Sequence, residues 1–104
     1  MSDRVADRAR RDFSAREAGT VLELLSSLEG GEDQALGSER VQGAVLLLAA
    51  GDSRRFLSAL ALAQLDWRDV LVAAGFADAD WPQRLDAWVT DGESRGARPG
   101  YAAT

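Results

Sequence analysis

Proline interrupts this chain only at positions 82 and 99, and the 81 residues before Pro82 carry apolar side chains at helical spacing. A proline-free chain whose apolar residues recur every three or four positions has few options other than packed helices. From Asp3 to Phe13 the stripe is Val5, Ala9 and Phe13, with Asp7–Arg11 and Asp12–Arg16 at the i, i+4 spacing that suits ion pairs. Ser14-Ala15-Arg16-Glu17 reads as a capping box that would start a fresh helix, and Val21, Leu24, Leu25 and Leu28 continue the apolar face to Gly30-Gly31. Residues 3–29 are therefore either one long helix or two that meet near Ser14, with Gly19 weighing against the unbroken version.

The stretch 30–37, Gly-Gly-Glu-Asp-Gln-Ala-Leu-Gly, reads as a linker. Ser38 is a natural N-cap for a helix that stops at Gly51. Its run from Ala44 to Ala50 is apolar nearly all round, which predicts a central helix covered on several sides. A strand competes for so short a run, but the alanine content and the caps favour helix. Asp52 or Ser53 caps a helix carrying Phe56, Leu57, Leu60, Ala61 and Leu65. Asp66-Trp67-Arg68-Asp69 restarts a short one that ends at Gly75. After the loop 76–80, Pro82 opens a last helix predicted over 82–91, with Leu85, Trp88 and Val89 on one face and Gly92 as its stop. The echo between Val45–Gly51 and Val70–Gly75 is too short for a solenoid repeat and fits two glycine-terminated helices. The expected architecture is all-α: a compact bundle of four to six short helices forming one domain over 1–91, with a flexible, disordered tail over 92–104. Its predicted core is Val41, Val45, Leu48, Phe56, Leu60, Val70, Leu71, Leu85 and Trp88.

Composition narrows the chemistry. All twelve basic residues are arginine, and histidine, cysteine and lysine are absent, as are asparagine and isoleucine. That removes the usual neutral-pH general base, the thiolate nucleophile and metal ligand, and the Schiff-base amine. Part of the pattern reflects codon bias in a GC-rich genome. Serines are present without a standard base to activate them, and Gly30-Gly31 lacks the strand, lysine and glycine pattern of a phosphate loop. The sequence points to a non-enzymatic protein with no cofactor, no catalytic residue and no metal site.

Net charge is −5, and between Asp52 and Asp91 seven aspartates face four arginines. An acidic surface argues against nucleic acid as a partner, although Arg4, Arg8, Arg10 and Arg11 form a local basic cluster near the N-terminus. The longest apolar run is Ala44–Ala50, against the ~20 residues a membrane span requires. The N-terminus is polar with no apolar h-region behind it. A cytoplasmic protein without membrane contact is the expectation.

Three groups of residues invite a functional reading. Asp66/Asp69 and Asp78/Asp80 could supply paired carboxylates, but each sits at a predicted helix start or in the loop before it, where capping accounts for an acid. Asp78-Ala79-Asp80 lacks the further ligands and glycine of a calcium loop. Trp81, Leu85 and Trp88 share one helical face, and Trp67 opens the helix before. Trp67 and Trp88 are expected in the core, and Trp81, beside Pro82, exposed. Arg54 and Arg55 lie just past a helix end, where they would face its carbonyls or an anionic partner. The candidate interaction residues are thus Trp67, Trp81, Arg54 and Arg55.

The stretch Asp66 to Trp88, with Asp-Trp-Arg-Asp-Val-Leu-Val-Ala-Ala-Gly-Phe-Ala followed by Asp-Trp-Pro, resembles one found in small uncharacterised helical proteins of high-GC actinobacteria. The resemblance covers the C-terminal half and implies a source, not an activity. The leading expectation is an interaction or adaptor module that contacts another protein or its own copy as a homodimer through surplus apolar surface on 38–65. The alternative is a small-ligand binder or carboxylate-dependent enzyme with a cleft near Trp67 and Trp81. Nucleic-acid binding through the N-terminal arginines ranks third.

Overall fold

The computed structural model describes residues 1–30 and 34–97, the last seven as backbone alone. It contains five helices and no strand among the described residues: α1 (Asp3–Asp12), α2 (Ala15–Ser27) with a 3-10 turn at Leu28–Gly30, α3 (Glu39–Ala49), α4 (Ser53–Ala74) and α5 (Trp81–Ala97). No helix among these residues is long and apolar enough to cross a membrane.

Local chemistry sets nearly every boundary. Ser2, Ser14, Ser38 and Asp52 each hold the extended backbone of an N-cap, and their side chains accept from the N–H groups of Val5, Glu17, Val41 and both Arg54 and Arg55. The break at Ser14 settles the first segment as two helices. Asp66 interrupts α4 with extended dihedrals (φ −158°, ψ 101°), and its Oδ1 accepts from Arg68 N–H at 3.1 Å. The aspartate ends the segment 53–65 and caps 67–74, so the predicted restart takes the form of a kink. Between α3 and α4, Ala50 (φ 49°) and Gly51 (φ 79°) turn the chain through left-handed conformations. A Cβ at Gly51 would lie 2.8 Å from Asp12 O, so the end of α1 presses directly on this turn.

Helix α3 is the centre, packed against α1, α4 and α5, while α2 packs on α1 and α4. Val41, Ala44, Val45, Leu46 and Ala49 are buried on it, joined by Val5, Ala9 and Phe13 of α1, Val21 and Leu25 of α2, Phe56, Leu60, Val70 and Leu71 of α4, and Leu85 of α5. A Cβ on Gly43 would meet Leu85 Cδ1 at 2.7 Å, the closeness that lets α5 seat on the central helix. Two expected core members differ. Leu48 and Trp88 are half-buried, because α3 turns Leu46 inward instead and Trp88 is covered by polar groups as well as by Phe76.

Two further expectations are corrected. Helix α5 passes through its predicted stop at Gly92 and ends at Ala97; a glycine lowers helix propensity by about 1 kcal/mol, which neighbouring turns can offset. The rest of the expected tail, 98–104, lies outside the described residues, as does 31–33 of the predicted linker. The α1 ion pairs are also rearranged. Asp7 pairs with Arg10 and Asp12 with Arg8, because Arg11 turns to donate to Val89 O on α5 and the break at Ser14 removes Arg16 from reach.

Buried polar groups lock the helices together. Arg8 is 1% exposed, donates through Nε to both Asp12 oxygens at 3.0 and 3.1 Å, donates to Trp88 O, and lies over the Trp88 ring at 4.2 Å. Gln42, fully buried, donates to Leu25 O at 3.2 Å and Glu29 Oε2 at 2.9 Å. Glu29 also pairs with the Met1 ammonium, which, ahead of Gln42, holds its carboxyl below the usual carboxylate range.

Candidate functional site

The four candidate residues fall in two separate places. Trp67 and Trp81, fourteen positions apart in sequence, line one pocket of about 260 Å³ with Ala35, Ser38, Glu39, Arg40, Val41 and Leu71. Trp81 is half-buried there, not exposed, because the Arg40 guanidinium stands over its ring at 5.0 Å while Arg40 Nε donates to Phe76 O at 2.9 Å. Trp67 is half-buried too, with Arg68 6.0 Å from its ring. The pocket's acid, Glu39, is already engaged. Arg4 donates to it through Nε (2.8 Å) and Nη2 (3.1 Å), and Ser2 Oγ at 2.7 Å. Arg4, with Ser2 in support, outweighs burial and holds the Glu39 carboxyl below its ordinary range.

None of the sequence-predicted carboxylates lines this pocket. Asp66 caps a helix and receives Arg68 Nε at 3.2 Å, which lowers its pKa. Asp80 receives Arg84 Nε at 2.9 Å, and Asp69 and Asp78 are exposed. Among the described residues no group of three histidine, cysteine, aspartate or glutamate side chains is gathered as a metal site would need. The basic cluster is also absorbed internally. Arg4 bridges Glu39 and Asp86, Arg8 is buried, Arg10 holds Asp7, and Arg11 holds a carbonyl of α5.

Arg54 and Arg55 lie on the other side, at the start of α4. Their side chains do not cap α3; they rim an apolar groove of about 330 Å³ floored by Leu48, Ala59 and Leu62. Neither guanidinium makes an ion pair among the described residues. A second groove of about 270 Å³ runs along the opposite flank of α4, between Val21 and Leu24 of α2 and Phe56 and Leu57. Between the two stands a ridge that the individual candidates did not include. Leu57 is 54% exposed and Leu65 83%, with exposed Ala61 between them, and Val72 is 68% exposed beyond the kink. The signal was in the sequence: Leu57, Ala61 and Leu65 recur at i, i+4, i+8 on the face opposite Phe56, Ala59, Leu60 and Ala63, and a helix with two apolar stripes needs cover on two sides.

Comparison with protein-family models, with curated proteins and with solved structures finds no match to this chain.

Proposed function

We propose that this chain is a non-enzymatic interaction module whose contact surface is the outer face of α4. The observation that carries this reading is the ridge of Leu57, Ala61 and Leu65 flanked by two apolar grooves. Burying a leucine side chain is worth about 1.5–3 kcal/mol, so an uncovered row of them is a standing driving force for association. Arg54 and Arg55 at the rim of one groove supply the charge that orients a partner. Light scattering across a wide concentration range, combined with capture from the host lysate by wild type and by Leu65→Asp, tests it. Loss of association in the variant, with the helical circular-dichroism spectrum retained, is the expected result. A wild type that stays monomeric and captures nothing removes the reading.

A second reading rests on the meeting of Trp67 and Trp81 in one pocket. At about 260 Å³ it lies just below the usual range for drug-sized ligands, and two indoles beside Arg40 suit a small planar molecule carrying an anionic group. Its test is a fragment titration followed by the NMR shifts of the two indole N–H groups. Movement of both together, against an unchanged Trp88, supports the site, and no movement with any fragment dismisses it.

A further inference from the structure

We infer that the partner of the α4 face is a second copy of this chain, packed antiparallel on the same face with Ala61 beside the two-fold axis. This rests on the reading of that face as the contact surface and adds the identity of its occupant.

A two-fold interface brings one patch against itself, so the patch must be complementary to its own rotated image. The segment 57–65 meets that condition. It reads Leu-Ser-Ala-Leu-Ala-Leu-Ala-Gln-Leu, the same order of apolar and polar residues in both directions from Ala61. Antiparallel pairing centred there sets exposed Leu57 against Leu65 of the copy and exposed Ser58 against Gln64, apolar on apolar and polar on polar. Ala61 at the centre is the smallest side chain on the ridge and lets the helices approach closely.

Charge selects the same direction. The start of this helix carries Arg54 and Arg55, with Asp52 Oδ1 committed to their backbone N–H groups. Its far end carries Asp66 and Asp69 with Arg68. The first end is net positive by one charge (two arginines, one aspartate) and the second net negative by one (two aspartates, one arginine). Antiparallel pairing in this register brings the net-positive start of one copy beside the net-negative end of the other, twice, with Arg54 against Arg68 as a like-charged pair, whereas a parallel pair sets both Arg54 and Arg55 on their own copies. The straight segment 53–65 is about 20 Å long at 1.5 Å per residue. One helix face of that length covers roughly half of the ~800 Å² per partner of a stable complex. The dimer is therefore a weak one.

The absence of cysteine makes the geometry testable. Helix axes 8–10 Å apart, less two Cα radii of about 2.3 Å, leave facing Cα atoms within disulfide range. Oxidised Ala61→Cys is expected to form a covalent dimer at least tenfold faster than Ala87→Cys, an exposed control on α5. An equal mixture of Leu57→Cys and Leu65→Cys should give mixed dimers well above the statistical half. Wild type should shift from monomer towards dimer between about 10 µM and 1 mM by sedimentation, and Leu65→Asp should remain monomeric throughout. Ala61→Cys cross-linking no faster than Ala87→Cys overturns the inference, and so does preferential self-linking of Leu57→Cys, which would mean a parallel pair. If the copies do not associate but Leu65→Asp still loses a captured protein, self-pairing fails while the α4 contact surface stands.

Discussion

Helices α3 and α4 are built from nearly the same alphabet of alanine, leucine and valine, yet the molecule treats them differently. Neighbours cover α3 from three directions, and six consecutive residues, Val41 to Leu46, are buried. Helix α4 packs on α3 along one face and touches α2 only lightly, so Phe56, Leu60 and Ala63 are inside while Leu57 and Leu65 stand in solvent. Apolar composition alone therefore does not decide burial. Place in the packing order does, and a helix at the edge of a five-helix body keeps any second apolar stripe for another molecule.

The widest gap between the two helices should appear in truncations. Leu46→Ala in α3 is expected to cost about 3–4 kcal/mol in urea unfolding, the transfer and cavity cost of a fully buried leucine, while Leu65→Ala should stay within about 0.5 kcal/mol of wild type. Equal losses would break the contrast. The cover on α3 depends on α1 being tied to α5, so Arg8→Ala should cost about 3 kcal/mol by leaving Asp12 and the Trp88 carbonyl without their shared donor. The same substitution at exposed Arg54 should leave the unfolding midpoint in place.

Acid should loosen the start of α3. Glu39 in the first turn of α3 and Glu29 beneath it are both held below the ordinary carboxylate range, by Arg4 and by the Met1 ammonium respectively. A carboxylate whose folded pKa is depressed contributes stability that is complete above its unfolded pKa, near 4.5. That contribution drains away as the pH falls through the lower folded value. Urea midpoints measured from pH 6 down to pH 3 should fall, and Glu39→Gln should flatten the decline by up to about 1 kcal/mol, since the pair is partly exposed. A steep profile unchanged by Glu39→Gln would place the sensitivity elsewhere. The smallest effect has the opposite sign. Ala50→Gly, at the left-handed joint between the two helices, should stabilise the fold by about 0.5–1 kcal/mol in the same assay.

Much of the fold was legible because its signals are short. Ser14, Ser38, Asp52 and Asp66 each cap through a hydrogen bond reaching two or three residues along the chain, and Gly75 stops a helix by its own dihedral freedom, whereas α3 ends one residue before the predicted Gly51, at left-handed Ala50. Such interactions act within one turn and read directly from the order of residues. The site was only half legible. That Trp67, Trp81, Arg54 and Arg55 stand at candidate sites could be guessed from residue type, but not that the tryptophans share a pocket while the arginines rim a groove on another side. Trp81 was expected in solvent because it neighbours a proline, and Arg40, more than forty positions away, covers it.

By itself the amino-acid order determined that this chain is helical, where most of its helices begin and end, and that it carries more apolar surface than one small core consumes. Only the tertiary structure decided which stripe of α4 lies outside, that Arg8 is buried among its partners, and that α5 runs through Gly92 to Ala97. The division follows range: capping and turning are settled between neighbours in sequence, whereas burial depends on which distant helix arrives to cover a face.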